Sequence, residues 1–158
     1  MMEIRAGDLR DARVIDLLAE HLAAMHAHSP PGSVHALDVS ALQQPAIAFF
    51  TVWDGDDLLG CGALKHLDAA TGELKSMRTA ARHLRRGVAA FMLEHLLGLA
   101  KRRGYARVCL ETGSGEAFEP AVALYRKHGF VPGAAFGDYE ATEFNRFFHL
   151  ALHASGSK

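Results

Sequence analysis

The sequence lacks a long apolar run and carries almost no net charge. No apolar segment approaches the roughly 20 residues that a membrane-crossing helix needs, and the N-terminal residues do not combine a basic region with an apolar one. We therefore expect a cytoplasmic protein that is not anchored in a membrane. The 17 basic and 18 acidic side chains give a formal charge of -1, so no overall field would draw the protein to nucleic acid or to an anionic membrane.

Cysteine is also scarce, and metal-binding sequence patterns are missing. The two cysteines, Cys61 and Cys109, lie in apolar, strand-like runs without paired spacing, which predicts buried free thiols instead of a disulfide. Histidine is plentiful, yet the densest histidine group contains no His-Glu-x-x-His arrangement. That group consists of His21, His26, His28 and His35. We expect no metal site.

The length of the chain and the order of its apolar patterns predict one mixed α/β domain. A chain of 158 residues with 49% hydrophobic residues can bury one core and is too short for two ordinary domains. We assign the domain to residues 1–153 and expect residues 154–158 to form a disordered tail. The periodicities run strand, helix, three strands, helix, strand, helix and further strands, which favours a mixed sheet with helices on both faces. A crossover helix within residues 73–112 favours parallel pairing of the strands that it connects.

The most informative local feature is the junction of a strand and a long helix at residues 84–89. Alternation predicts a strand over residues 73–79, and apolar residues at helical spacing follow from Val88 onward. The first amides of a helix have no carbonyl partner and carry the positive end of the helix dipole, so they can bind a phosphate. Gly87 would let such a ligand approach the backbone closely. The junction is therefore a candidate anion site.

Two motifs, one at this junction and one downstream, resemble those of the GNAT superfamily of N-acetyltransferases. Leu84-Arg85-Arg86-Gly87-Val88-Ala89 is similar to the family's Gln/Arg-x-x-Gly-x-Gly/Ala loop, which binds the pyrophosphate of acetyl-CoA. Leu124-Tyr125-Arg126-Lys127-His128-Gly129-Phe130 is similar to the family's Leu-Tyr-x-Lys-x-Gly-Phe segment. The chain departs from the family pattern at Leu84, where Gln or Arg is usual, and at Phe118, where Asn is frequent.

The resemblance implies a mixed, mostly antiparallel sheet with a V-shaped splay between its fourth and fifth strands, where acetyl-CoA binds. The pantetheine arm would pair with the backbone of Met77 and Thr79, and the Met77 amide would polarise the thioester carbonyl. Tyr125 would protonate the departing thiolate, a role that suits a phenol protonated at neutral pH. The positions implied in acetyl-CoA binding are Met77, Arg78, Thr79, Leu84, Arg85, Arg86, Gly87, Val88, Ala89, Phe118 and Tyr125.

Glu73 is the candidate catalytic base. Its carboxylate would take the amine proton directly or through a water, as a glutamate near this point does in many relatives. Strand alternation places Glu73 on one face with Lys75 and Met77. Glu111, at the end of the next predicted strand, is a rival base.

The acceptor side of the site is predicted from the segment of residues 29–38, where relatives build the acceptor wall. The positions expected to contact the acceptor are His35, Glu73 and Thr112. Several aromatic residues could line an apolar acceptor pocket, but strands bury aromatic side chains routinely, so we expect these residues in the core. They are Phe49, Phe50, Trp53, Phe136, Tyr139, Phe147 and Phe148.

The predicted function is transfer of an acetyl group from acetyl-CoA to a primary amine of a small molecule, by direct attack in a ternary complex. The balanced charge offers no evident surface for a basic peptide tail or a polyanion. The alternative is a non-catalytic acyl-CoA-binding sensor or regulatory module, which Leu84 and Phe118 would suit. Phosphoryl transfer is disfavoured because the loop has no Gly-Lys-Ser/Thr. The sequence leaves open whether the protein forms a homodimer.

Overall fold

A computed structural model describes residues 1–84 and 86–152 of the chain. Within these residues the strands are β1 (Glu3–Ala6), β2 (Ile47–Asp54), β3 (Asp57–Asp68), β4 (Thr71–Thr79), β5 (Arg107–Thr112), β6 (Val131–Pro132) and β7 (Arg146–Ala151). The α-helices are α1 (Ala12–His28), α2 (Val39–Leu42), α3 (Val88–Arg102) and α4 (Glu119–Lys127). Arg85 and the tail predicted at residues 154–158 lie outside the described residues.

The strands form one sheet in the order β1-β2-β3-β4-β5-β7-β6. Neighbouring strands are antiparallel except β4 and β5, which run parallel and are connected by α3. Parallel neighbours need such a crossover because a tight turn cannot return the chain to the same end of the sheet. The predicted mixed, mostly antiparallel sheet is confirmed.

Helices cover both faces of the sheet, and each face has its own hydrophobic core. On one face α3 and α4 bury side chains such as Met92, Leu96 and Val122 against Leu64 and Leu74. The core on the other face joins α1 and α2 to β2 and β3 through Val14, Leu18, Leu42, Trp53 and Cys61. Full burial of one such aliphatic side chain stabilises the fold by about 1.5–3 kcal/mol, so the two cores fix the position of the sheet between its helices.

The first helix is capped by Asp11 and not by Asp8, three residues earlier. Asp8 is a chemically suitable cap, but its Oδ1 accepts a hydrogen bond from the Arg10 amide at 2.9 Å in the turn before the helix. Asp11 is the capping residue and accepts from the Arg13 amide at 2.9 Å. Hydrogen bonds from the Arg13 side chain and amide lower the pKa of Asp11 to about 2. Asp38 caps α2 in a similar way, because its side chain accepts a hydrogen bond from the Ala41 amide at 2.8 Å.

The strands β4 and β5 separate after a short paired stretch. Their register runs from Thr71 opposite Arg107 to Glu73 opposite Cys109 and does not continue among the described residues. Beyond that point β5 remains paired with β7 as far as Thr112, while β4 continues to Thr79 with β3 on its other side. This is the predicted V-shaped splay, and it leaves the β5-facing edge of β4 open over several residues.

A β-bulge lies in β4 at the open edge. Ala63 pairs with Lys75 and Cys61 pairs with Arg78, so Ser76 and Met77 together oppose the single residue Gly62. Ser76 adopts a left-handed backbone conformation with φ of 55°. A bulge of this kind takes backbone groups out of the regular ladder and redirects the side chains that follow.

The bulge overturns the predicted alternation of β4. Met77 packs with the core beneath α3, where its Sδ would lie 2.8 Å from a Cβ placed on Gly62. Arg78 instead faces α1, with its Nη2 3.6 Å from Glu20 Oε1. The prediction that Met77 shares a strand face with Glu73 and Lys75 is therefore wrong, because the extra residue reverses the alternation between Lys75 and Met77.

Candidate active site

A cavity of about 140 Å³ lies in the splay between β4 and β5, and we refer to it as the splay cavity. It brings together residues from the acceptor segment, both splayed strands and α4. Its lining includes the predicted site residues His35, Met77, Glu111, Thr112, Phe118 and Tyr125, together with His21 and Lys75. Residues that are distant in sequence thus line one space, although none of the described residues of the 84–89 loop is among them.

Tyr125 enters the splay cavity from α4. The side chain is buried and its ring packs edge-on against Phe130, with 5.7 Å between ring centroids. Burial raises the pKa of Tyr125 to about 12. The hydroxyl is therefore protonated throughout the neutral range, as a proton donor must be before it acts.

The predicted phosphate loop ends where α3 begins. Gly87 caps this helix with φ of 79°, a left-handed conformation that favours glycine, and a Cβ built there would meet no atom of the other described residues within 4 Å. The helix therefore starts with amides beside open space, which fits a bound anion. Leu84 is exposed, whereas the Val88 side chain is buried in the core, so Val88 can offer only its backbone.

Among the described residues near this loop, Arg86 and His83 each contact an acidic side chain. Arg86 Nη2 lies 3.6 Å from Asp54 Oδ2, and Arg86 Nη1 lies 2.7 Å from His83 Nδ1. His83 Nε2 is 3.0 Å from Asp57 Oδ2. These contacts partly offset the charge of Arg86, so this side chain adds less to the attraction for an anion than a free arginine would.

Phe118 and Thr112 flank the splay cavity on the β5 side. Phe118 is buried and packs edge-on against Phe144 at 5.6 Å between ring centroids. A Cβ on Gly113 would lie 2.3 Å from Phe144 and 2.8 Å from Phe118, so only glycine allows these rings to approach the end of β5 so closely. Phe118 therefore supplies an apolar wall where the family pattern frequently has an amide side chain.

Glu73 is sealed within a polar cluster beside the splay cavity. Its side chain is only 2% exposed and its Oε2 accepts a hydrogen bond from the Tyr139 hydroxyl at 2.6 Å. Lys75 Nζ donates to the same Tyr139 hydroxyl at 2.6 Å and lies 3.5 Å from Glu73 Oε2. Burial, followed by the charge and hydrogen bond of Glu73, raises the pKa of Tyr139 above its usual range. The Tyr139 hydroxyl therefore stays protonated, and it contacts both members of the Glu73–Lys75 ion pair.

His35 and Glu111 form a second polar pair within the splay cavity. His35 Nδ1 and Glu111 Oε2 are 2.6 Å apart. Lys75 Nζ also donates to the backbone carbonyl of His35 at 3.1 Å, which ties the 29–38 segment to β4. Burial raises the pKa of Glu111, and the hydrogen bond from His35 opposes that shift.

A larger cavity of about 500 Å³ lies next to the splay cavity, and we refer to it as the loop cavity. Ser33 and His35 line both cavities. The other residues of the loop cavity include Lys65, Glu73, Phe136, Asp138, Tyr139, Glu140 and Asn145. The site thus has a narrow space in the splay and a wider, mixed polar and aromatic space beside it.

Residues of this region that the sequence did not assign to the site include Lys75, Tyr139 and Phe136. The core assignment holds for Phe49, Trp53, Phe147 and Phe148, which are buried, whereas Phe136 and Tyr139 line the loop cavity. Both precede β7 in an irregular stretch without periodicity. No local pattern could therefore have shown which way they point.

The two cysteines lie outside both cavities. Cys61 and Cys109 are free and buried, and burial raises the pKa of each thiol to about 12. Residues 1–84 and 86–152 contain no group of three or more His, Cys, Asp or Glu side chains arranged to hold a metal ion. None of the helices in these ranges is long and apolar enough to cross a membrane.

Comparisons with known proteins agree with this geometry. A family model for the acetyltransferase (GNAT) family matches residues 13–130. The chain is 51% identical over 138 residues to the uncharacterized N-acetyltransferase YsnE of Bacillus subtilis, covering 87% of the chain and 91% of that protein.

Solved structures show the same fold at low sequence identity. A protein of Klebsiella pneumoniae described as a putative acyl-CoA N-acyltransferase superposes with a TM-score of 0.80 at 23% identity, covering 97% of the chain and 99% of that protein. A GNAT family acetyltransferase from Elizabethkingia anophelis with acetyl-CoA bound superposes with a TM-score of 0.67 at 15% identity, covering 96% and 98%.

Proposed function

The chain belongs to the GNAT family of acetyltransferases, and from that premise we propose that it moves the acetyl group of acetyl-CoA to a primary amine of a small molecule by direct attack. The observation that carries the proposal is the splay cavity, which Met77 and Tyr125 line together. Family membership makes the protein an acetyl-CoA-dependent enzyme; the amine acceptor and the direct attack are the proposed parts.

The structure offers two features that fit acetyl-CoA. The start of α3 at Gly87 has open space beside its amides, which suits the pyrophosphate. The open edge of β4 beyond Glu73 supplies unpaired backbone for the pantetheine arm. The Elizabethkingia anophelis protein, which has the same fold, has acetyl-CoA bound, and this supports acetyl-CoA as the ligand. Acetyl-CoA supplies the activated acetyl group, and the residues of this chain hold and polarise it.

The Met77 amide would stabilise the charge that develops on the thioester oxygen. Met77 sits in the bulge, where its backbone leaves the regular ladder with β3, and it lines the splay cavity. A preorganised amide aimed at a developing oxyanion lowers the barrier by roughly 3 kcal/mol. The role belongs to the backbone, so it does not depend on the Met77 side chain facing α3.

Tyr125 would donate its proton to the sulfur of coenzyme A as the C–S bond breaks. The raised pKa of about 12 keeps this proton in place until the thiolate forms. Tyr125 shares the cavity with Met77, so donor and oxyanion site meet around one thioester. No covalent acyl-enzyme is needed, because the amine can reach the same carbonyl from the loop cavity.

The size and lining of the loop cavity fit a small acceptor molecule. Its volume of about 500 Å³ is that of a pocket for a small molecule, and its lining mixes charges of both signs, from Lys65 to Asp138 and Glu140. Such a lining fits an amine that carries a further polar group. Glu73 lines this cavity and is expected to hold its wall together with Tyr139, even though its carboxylate is too enclosed to meet the amine directly.

The test is release of free thiol from acetyl-CoA in the presence of a panel of small primary amines, with mass spectrometry of the acetylated product. Tyr125→Phe is expected to lower kcat by about 100-fold, the usual size of a general-acid contribution. Tyr105→Phe is the matched control, since Tyr105 is buried in the same core and its hydroxyl bonds to His66 at 2.6 Å away from the splay. Equal turnover in wild type and Tyr125→Phe would contradict the assigned role.

The alternative, a non-catalytic acyl-CoA sensor, rests on the exposed Leu84 at a position where the family usually has Gln or Arg. The same assay separates the two functions. A sensor would be stabilised by coenzyme A in a thermal shift measurement but would release no thiol with any amine.

A further inference from the structure

We propose that His35, oriented by Glu111, is the catalytic residue that takes the proton from the attacking amine. This inference rests on the proposed acetyltransferase function and assigns the base within it. It differs from the sequence-based expectation, which placed the base at Glu73, with Glu111 as the rival and His35 only in contact with the acceptor.

The enclosure of Glu73 argues against that residue as the direct base. Its carboxylate is 2% exposed and holds the Tyr139 hydroxyl and the Lys75 ammonium. Both groups contact Oε2, so an amine would have to displace them to reach that oxygen. His35, by contrast, has a side chain that is 33% exposed and lies at the boundary of the splay and loop cavities.

Two contacts on different strands fix the imidazole. Lys75 on β4 donates to the backbone carbonyl of His35 at 3.1 Å, and Glu111 on β5 lies 2.6 Å from Nδ1. An ionised Glu111 accepts the Nδ1 proton, which fixes the tautomer and leaves the lone pair on Nε2. The ring is therefore held with its basic nitrogen as the atom that can receive a proton.

Charged and aromatic groups from both splayed strands and the loop before β7 surround His35. Glu111 faces the ring from β5, Glu73 and Lys75 face it from β4, and the Tyr139 ring lies 5.1 Å away between centroids. Lys75 Nζ and Glu73 Oε2 are 3.5 Å apart, so their opposite charges largely offset each other. The negative charge of Glu111 therefore remains to stabilise an imidazolium.

His21 faces the same cavity from α1 but adds no charge at neutral pH. Burial, aided by the charges of Arg78 and Lys75, lowers the pKa of His21 to about 4. The two histidines of the splay cavity therefore have different roles, since one is held neutral in the core and the other sits beside a carboxylate at the cavity boundary.

In the proposed reaction His35 takes one proton from the amine and Tyr125 gives one proton to the thiolate. The neutral amine nitrogen forms a bond to the acetyl carbonyl carbon and passes one proton to His35 Nε2. The C–S bond then breaks, and the thiolate takes the phenolic proton of Tyr125. The proton on His35 returns through solvent to the tyrosinate, which leaves an amide, coenzyme A with a free thiol and the enzyme in its starting state.

The test uses His35→Asn, because the Asn side-chain NH₂ can replace Nδ1 as donor to Glu111 while no acceptor remains at the place of Nε2. We expect kcat in the thiol-release assay with the amine panel to fall by about 100-fold and the acidic limb of its pH profile to disappear. Coenzyme A affinity, measured by calorimetry, should stay at the wild-type value. His66→Asn is the control, since His66 also makes a 2.6 Å bond, to Tyr105, outside both cavities.

Glu111→Gln tests the positioning role separately. It should lower kcat and shift the pH profile with little change in KM for acetyl-CoA, and Glu111→Asp should restore part of the rate. Wild-type turnover and an unchanged pH profile in His35→Asn would overturn the assignment of the base and leave the transferase function standing. Absence of turnover by the wild-type enzyme with every amine would overturn both proposals.

Discussion

The Tyr139 hydroxyl donates a 2.6 Å hydrogen bond to Glu73 Oε2, in the interior of the protein. The two residues are 66 positions apart in the sequence, and Lys75 completes the cluster from the same strand as Glu73. A buried carboxylate is costly unless each of its oxygens finds donors. The Tyr139 hydroxyl therefore joins the irregular segment before β7 to the splay and shapes the wall that the two cavities share.

Tyr139→Phe should destabilise the fold. The variant leaves Glu73 with one donor fewer in a buried site, so the free energy of unfolding should fall by about 1–3 kcal/mol. Tyr105→Phe is the matched comparison, because it removes a hydrogen bond to the imidazole of His66 and should cost only about 0.5–1.5 kcal/mol. Urea denaturation measures both values. A Tyr139→Phe variant as stable as the wild type would show that the cluster does not hold the segment in place.

His21 should make the protein sensitive to acid in a defined pH window. Its pKa is lowered from 6.5 to about 4, chiefly by burial. Between pH 6.5 and about 4, His21 binds a proton in the unfolded chain but not in the native protein. The free energy of unfolding therefore falls as the pH drops through this window. The loss should amount to roughly 3 kcal/mol.

The measurement is urea denaturation at several pH values between 7 and 4. In His21→Gln, which cannot titrate, most of the decrease in this window should vanish. His26→Gln is the control, because His26 is an exposed residue of the same helix. Equal pH dependence in wild type and His21→Gln would mean that other groups cause the acid sensitivity.

Local sequence patterns predicted the helices and strands. They could not predict features that depend on how distant segments pair or pack. Apolar periodicity predicted α3 and the strands around it, and the strand–helix junction predicted the loop that contains Gly87. Each of these signals lies within a few residues of the chain. The bulge at Ser76 depends on how β3 pairs with β4, which no window of β4 alone contains. The position of Tyr139 depends on a loop that packs against a distant strand. The start of α1 cannot be located from the capping residue alone, because Asp8 and Asp11 are equally suitable caps.

Gly87→Ala should weaken coenzyme A binding more than it weakens the fold. Gly87 has φ of 79°, so a Cβ adds about 1 kcal/mol of strain, and its methyl group would occupy the space beside the first amides of α3. We expect an affinity loss of about tenfold, equivalent to about 1.4 kcal/mol. Gly104→Ala is a closely matched control, because Gly104 lies just beyond the other end of α3 with the same φ of 79° and the same open surroundings.

Calorimetric titration with coenzyme A gives the affinities, and urea denaturation gives the stabilities. Similar destabilisation of both variants with a loss of affinity only in Gly87→Ala would support the anion site. An equal affinity in the two variants would place the pyrophosphate elsewhere.

Gly62→Ala should disturb the bulge from the opposite strand. The new Cβ would lie 2.6 Å from Met92 Cγ and 2.8 Å from Met77 Sδ, so both side chains must shift. Overpacking of this kind costs about 1–3 kcal/mol. Because Met77 is part of the bulge, its displacement should also move the amide assigned to the oxyanion and lower kcat more than it raises KM for acetyl-CoA.

A double-mutant cycle with Met92→Ala tests the cause. Shortening Met92 makes room for the added methyl group, so the destabilisation of the double variant should be clearly smaller than the sum of the two single variants. Turnover should recover in parallel only if the displaced Met77 backbone causes the loss. Additive destabilisation, or recovery of stability without recovery of kcat, would contradict the proposed link between core packing at Gly62 and the geometry of the Met77 amide.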